Sequence, residues 1–252
     1  MLNQHTLERL RKMRLDGLAD AFLGQMQDTR FDSLSFSERF GMMVDAEWTF
    51  RDSRRLRRLL KEAKLRIAAC VEDIDWRQQR GLDKGVILQL ANCDWIRARH
   101  NVLIEGPTGA GKTYLACALA NAACRQGFST RYYRVPRLIA EISVAKGDGS
   151  YPRLLARLSR TNVLVLDDWA IAPFSAAEAR DILEVIEDRS QACSTIVASQ
   201  LPCERWHGAL SDPTVADAVL DRLIHNAHHL TLKGESMRKL KKSAEASKNE
   251  RD

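Results

Sequence analysis

The sequence predicts an α/β fold, a parallel sheet flanked by helices, preceded by a small all-helical N-terminal domain. Three observations carry this. From residue 101 onward, short apolar runs alternate with amphipathic segments, the rhythm of a parallel sheet covered on both faces. Before that, from Leu7 to about Ala69, no proline interrupts the chain and apolar side chains recur at helical spacing, as in Leu56, Leu59, Leu60, Ala63 and Ile67. Between the first apolar run and the amphipathic segment after it lies a glycine-rich loop, GPTGAGKT, at residues 106–113.

Taken in order, residues 1–70 form the helical domain. Residues 71–99 read as a connector holding Trp76, Gly81, Gly85 and Trp95. Residues 100–240 carry the α/β module, with strands expected at 101–105, 130–134, 163–167 and 195–199 and a weaker one at 228–232. Helical patterns fill the gaps at 112–125, 136–145, 152–158, 176–189 and 215–226. The lysine-rich residues 241–252 read as a disordered basic tail.

Charge is unevenly placed. The chain has a net charge of +6, and residues 51–66, RDSRRLRRLLKEAKLR, hold eight basic and two acidic side chains, an excess equal to that of the whole chain. On a helix this segment sets Leu56, Leu59, Leu60, Ala63 and Ile67 against a basic face of Arg54, Arg55, Arg58 and Lys61, continued one turn on by Lys64 or Arg66. Such a face suits a polyanion.

Every hydrophobic run is broken by charge well short of the roughly 18 residues a membrane helix needs, so no membrane partner is expected. Glu8, Arg9, Arg11, Lys12, Arg14 and Asp16 fall where a signal peptide would be apolar. The cysteines at 70, 93, 117, 124, 193 and 203 include no C-x-x-C pair and read as reduced thiols, with Cys117 and Cys124 on one helix face. A cytoplasmic location is expected.

The loop gives the chemistry. Gly106, Pro107, Thr108, Gly109, Ala110, Gly111, Lys112 and Thr113 fit G-x-x-x-x-G-K-[ST] after a strand and before a helix. Its backbone amides and the helix N-terminus can cradle phosphate, Lys112 can neutralise the β- and γ-phosphates, and the Thr113 hydroxyl can hold Mg²⁺. The expected ligand is ATP with Mg²⁺. Val163-Leu164-Val165-Leu166-Asp167-Asp168 supplies a second element, in which Asp167 ends a strand beside the loop as a magnesium residue and Asp168 activates the attacking water. Ser199 or Gln200, ending a further strand, is placed to sense the γ-phosphate.

His225, His228 and His229 invite a metal reading, since the first and last stand at helical i, i+4 spacing. A strand expected from about 228 breaks that geometry and no nearby cysteine completes a set, so no second metal is expected.

Together these residues resemble the AAA+ ATPases of the DnaC and IstB type, more closely the IstB helpers of insertion-sequence transposition. The likeness covers nearly the whole chain: GPTGAGKT at 106–113, GDGSYPRLLARL at 147–158, LVLDDW at 164–169, and a long block at 199–239. It implies a P-loop NTPase module joined to a helical DNA-contacting domain, with ATP hydrolysed at sites between neighbouring subunits of a homo-oligomer on double-stranded DNA. It further implies a partner transposase. On that pattern Arg222 matches the arginine finger that reaches the next subunit's nucleotide, Arg238 the second sensor, and Ser199 or the adjacent Gln200 the first sensor. The sequence departs from the pattern in having Asp168 where glutamate is usual and Ala170 where glycine commonly follows.

DNA contact is expected mainly through Arg54, Arg55, Arg58 and Lys61, with residues 146–150 as a weaker second surface. No base-reading motif is present, so contact should be to phosphates and salt-sensitive. A replicative helicase loader of the DnaC type shares the same core and is the alternative reading; a nucleotide-dependent switch with negligible turnover is a third.

Overall fold

A computed structural model describes residues 2–77, 80–234 and 237. The chain divides into two compact units, Met1–Arg58 and Leu59–Asp252.

The first unit is helical, built from α1 (Leu2–Lys12), α2 (Asp16–Gln27) and most of α3 (Phe36–Ala63). Gly17 sets how closely α2 and α3 approach. A Cβ there would lie 2.6 Å from that of Phe50 and 2.8 Å from the Ala46 carbonyl oxygen, so only a hydrogen fits. Glu47 of α3 adds a polar tie: one carboxylate oxygen accepts the Leu18 N–H at 3.0 Å, at the open first turn of α2, and the other accepts from Arg51 Nε at 2.5 Å. Phe36, Phe40, Val44 and Trp48 are exposed along α3, one turn apart. Arg54, Arg55, Arg58 and Lys61 follow, also exposed, so the expected basic face is open to solvent.

That face is shorter than the sequence suggested. The helix ends at Ala63, and Lys64 takes a left-handed φ of 51°. Lys64 and Arg66 therefore do not continue the stripe; Arg66 is delivered to the carboxylates of Asp167 and Asp168. Ile67, expected on the apolar face of that helix, lies beyond its end and is exposed.

The second unit is a five-stranded sheet. Its strands are β1 (Asn101–Glu105), β2 (Thr130–Arg134), β3 (Val163–Trp169), β4 (Ser194–Ser199) and β5 (Ala227–Thr231), ordered β2-β3-β4-β1-β5 and paired in parallel throughout. The helices are α4 (Lys84–Ala91), α5 (Asp94–Arg97), α6 (Lys112–Arg125), α7 (Val135–Gly147), α8 (Tyr151–Arg160), α9 (Ala176–Arg189) and α10 (Pro213–Ile224). Alternation along the strands divides the core. Val102, Ile104, Val163, Val165, Ile196 and Ala198 pack on the face covered by α6, whereas Leu103, Leu164, Leu166 and Val197 meet α7, α8, α9 and α10. Residues 71–99 belong to the first of these cores, where Val71, Ile74, Ile87, Leu90, Trp95 and Ile96 are buried.

Local signals explain the boundaries. Ser175 and Glu178 close a reciprocal capping box on α9. Asp212 caps α10, accepting from the Thr214 and Val215 amides, with Pro213 in the first turn; this start lies two residues before the expected one because proline there lacks only an N–H that the helix leaves unpaired anyway. Strand β3 runs two residues past 167 to Trp169, with an irregularity in its pairing to β4 between Leu166 and Trp169.

Arg189 ties this module together from inside. It is 1% exposed, and its guanidinium donates to the carbonyls of Leu158, Thr161 and Ser194 and to the Thr195 hydroxyl. These groups end α8, precede β3 and open β4, so one side chain ties three chain segments together. Burial brings its pKa down to about 10, still charged at neutral pH. Arg189→Met would leave the carbonyls without a donor, and we expect it to lower the unfolding free energy by roughly 3–5 kcal/mol, read by urea denaturation with tryptophan fluorescence. A loss below about 1 kcal/mol would mean that water takes the guanidinium's place.

Candidate nucleotide and magnesium site

The loop at 106–111 leaves the C-terminal end of β1 and enters α6. Gly106 has φ 145°, and a Cβ on it would sit 2.4 Å from the Leu232 carbonyl oxygen, so glycine is required for the loop to pass beneath the chain that follows β5. Gly111 caps α6 with φ 105°, turning the first helical amides toward the loop's concave side.

Lys112 is 8% exposed, and its ammonium donates to the carbonyls of Gly106 at 2.7 Å and Pro107 at 2.8 Å. Burial pulls its pKa below the usual lysine range, opposed by the negative charges of Asp167 and Asp168. The loop thus holds a cation bound only to its own backbone, which suits an incoming anion.

Asp167, 2% exposed, ends the regular part of β3. Its Oδ2 accepts from Thr113 Oγ1 at 2.8 Å and from the Tyr132 hydroxyl at 2.6 Å, and its Oδ1 accepts the Asp168 N–H at 2.9 Å. Burial, with the adjacent Asp167 carboxylate, pushes the Tyr132 hydroxyl pKa well up, so it remains a donor. Oxygen ligands in an octahedral shell at about 2.0–2.1 Å from Mg²⁺ stand roughly 2.9 Å apart. The Thr113 hydroxyl and Asp167 carboxylate have that chemistry and that spacing, so the pair fits magnesium.

Asp168 lies at a φ of 57°, a conformation that costs a non-glycine residue roughly 1–3 kcal/mol and is found most often where function demands it. Its carboxylate accepts from Arg134 Nε at 2.5 Å, and Arg66 Nη1 stands 3.9 Å away, at the same distance from Asp167. Ala170 is left-handed too, at φ 52°, which explains why glycine suits that position.

Of the two sensor candidates, Gln200 reaches the loop: its Oε1 accepts from Thr108 Oγ1 at 2.7 Å. Ser199 is fully buried and spends its hydroxyl on the Trp169 carbonyl and the Leu201 amide. Arg238 lies outside the described residues; Met237 just before it donates its N–H to the Gly109 carbonyl.

Arg222 is elsewhere. It ends α10, where its guanidinium donates to the Ala218 carbonyl and to Glu187, and its own carbonyl accepts from Asn101 Nδ2 at 3.0 Å. Asn101 opens β1 and the phosphate loop follows its far end, so at about 3.3 Å per residue the two stand a strand's length apart, roughly 13 Å or more. Arg222 is not part of its own chain's loop site.

The sequence reading missed Tyr132, Arg134, Arg66 and Arg80. Arg134 ends β2 opposite Asp167 in the strand register, and this pairing cannot be read from spacing along the chain. Arg80 places Nη1 3.2 Å from where a Gly111 Cβ would lie. Lys146, in the weaker DNA surface, is paired with Asp181 and lies over the Tyr151 ring.

Because Lys112 is buried on carbonyls alone, its role and its effect on stability separate. Lys112→Ala should weaken binding of a fluorescent ADP by about 10- to 100-fold, the range expected for losing charge-assisted contacts worth roughly 1.5–3 kcal/mol, with unfolding free energy kept within about 1 kcal/mol. Unchanged affinity would remove the loop from the site.

Comparison with known proteins gives the family and the fold. An insertion sequence ATP-binding protein of Sinorhizobium fredii is 46% identical over 239 residues, covering 95% of this chain and 98% of that one. Another, of Pseudomonas fluorescens, is 51% identical over 203 residues, covering 80% and 88%, and one of Mycobacterium tuberculosis is 31% identical over 234 residues, covering 92% and 93%. Among solved structures, DnaI matches with a TM-score of 0.57 at 19% identity over 66% of this chain and 92% of that one. The DnaC helicase loader matches at 0.55 and 17% over 66% and 97%, a likeness of fold alone. The family described as IstB-like ATP binding protein matches residues 8–246, and the chain belongs to it, an ATP-binding protein of the AAA+ P-loop fold.

Proposed function

We propose that this chain is an ATP-dependent, DNA-binding helper of insertion-sequence transposition. It assembles as a homo-oligomer on double-stranded DNA in the cytoplasm, hydrolyses ATP, and directs or stimulates a partner transposase. The observation that carries the proposal is the separation of charges along the sheet: the loop, Asp167 and Asp168 lie at one end of β1, and Arg222 lies at the other. A guanidinium at that distance can serve the γ-phosphoryl group only of another subunit, which makes hydrolysis conditional on assembly.

In this reading Lys112 binds the phosphates, and Thr113 and Asp167 hold magnesium. When bound, that ion supplies charge neutralisation at the β- and γ-phosphate oxygens. Gln200, tied to Thr108, lies where a change at the loop reaches β4. Asp168 takes the proton of the attacking water; its carboxylate is held by Arg134 and faced by Arg66, so activity requires that it be released from them to reach that water.

DNA binding is assigned to the exposed basic end of α3, with Arg54, Arg55, Arg58 and Lys61 against phosphates. The names of the relatives, all insertion-sequence proteins, favour transposition over helicase loading, since the helicase loader is matched in fold only.

Light scattering on duplex DNA tests the assembly. Large particles should need both ATP–Mg²⁺ and DNA and be absent with ADP. Replacing Arg54, Arg55 and Arg58 together by glutamine should abolish them while nucleotide affinity changes by less than about twofold, because phosphate contacts on α3 are independent of the loop. A particle size indifferent to nucleotide and DNA would contradict the proposal.

A further inference from the structure

Three residues that lie far apart in sequence meet beside the start of the phosphate loop. Glu105 ends β1, Cys203 follows β4 in a short 3-10 turn, and His229 sits on β5. The sheet brings them together: β1 lies between β4 and β5, with Glu105 opposite Ser199 on one side and Leu103 opposite His229 on the other. Side chains two apart on a strand share a face, so Glu105 and the neighbour of Leu103 project the same way. One Glu105 oxygen, the Cys203 sulfur and one imidazole nitrogen all lie within 4.8 Å of one another, the one such group of metal-capable side chains among the described residues.

We propose that Glu105, Cys203 and His229 form a binding site for a zinc-class divalent ion, separate from the magnesium pair Thr113 and Asp167. Thiolate, imidazole and carboxylate are the ligands that zinc takes at about 2.0–2.3 Å, and a fourth position stays open to water. Ligands at those distances stand less than about 4 Å apart, so the group has to contract by roughly 1 Å. It is built to do so, since His229 is exposed on β5, which among the described residues pairs only with β1.

The chemistry of Cys203 differs from that of the other thiols. Cys93 and Cys193 donate to backbone carbonyls, and Cys124 pairs with Thr130. Cys203 faces a carboxylate: Glu105 Oε1 accepts the Cys203 N–H at 3.0 Å, and burial followed by this carboxylate raises the thiol pKa, so the free protein holds it protonated. Binding then forms a metal–sulfur bond and releases that proton to solvent, so affinity rises with pH. Hard magnesium does not compete for a thiolate.

Position gives the site its consequence. Glu105 is bonded through its backbone to Gly106 of the loop, and Cys203 follows Gln200 by three residues. The Glu105 carbonyl accepts the Leu232 N–H at 2.7 Å, from the chain that crosses Gly106. An ion here would cross-link the end of β1, the turn that follows β4, and β5, beside the start of the phosphate loop.

Cobalt(II) tests the proposal, titrated into the untagged full-length chain in excess Mg²⁺. We expect a near-ultraviolet thiolate-to-cobalt charge-transfer band that saturates at one ion per chain, disappears when zinc is added, and is absent from Cys203→Ala. His229→Ala, which changes an exposed side chain and leaves the core intact, should weaken cobalt binding by roughly tenfold or more. No band in the unmodified chain, a band that survives Cys203→Ala, or unchanged affinity in His229→Ala would overturn it.

Discussion

In our account the buried Asp167 carboxylate is the point on which the module's function depends. It accepts on three sides, from the Thr113 hydroxyl of α6, the Tyr132 hydroxyl of β2 and the Asp168 amide of its own strand. A charge this buried is tolerable only when its hydrogen bonds are made. Satisfying it fixes the first turn of α6 against the end of β3, and so the loop against the carboxylates. Binding a phosphate and aligning the residues that act on it are therefore one packing problem, solved by the same three bonds.

Around that point each polar side chain already has a partner within the chain. Lys112 sits on carbonyls, Arg134 and Arg66 on Asp168, and Gln200 on Thr108. In our account these groups exchange partners when nucleotide binds, and all of them already lie at the loop end of the sheet. The exception is Arg222, held by Glu187 and Ala218 at the opposite end of β1. A site whose anion-binding groups are assembled in one chain while its candidate finger lies a strand's length away is, in our account, a site completed by a neighbour.

Much of this was legible in the sequence because it was local. Strands β1 and β2 and helices α6 and α9 fall at the predicted residues, since hydrophobic period, glycine and capping signals are all short-range. That Thr113 and Asp167 meet follows from local signals too, a loop leaving one apolar strand and an acidic residue near the end of another. What stayed hidden was decided by the order of strands. Tyr132 and Arg134 reach the site because β2 pairs with β3, and Cys203 reaches His229 because β1 stands between β4 and β5. Arg66 was read as part of a basic helix; the left-handed turn at Lys64 gave it to the carboxylates instead. Cys203, 26 positions before His229 along the chain, comes beside it through the same strand order, which spacing does not reveal.

The central claim is that two chains make one working site, and complementation between two damaged chains tests it most directly. ATP hydrolysis would be measured with DNA present for Lys112→Ala alone, Arg222→Ala alone, and the two mixed. The account predicts that each alone is inactive and that the mixture recovers activity, because an intact loop in one subunit can face an intact Arg222 in the next. A mixture as inactive as its components, with both variants shown to co-assemble, would contradict it.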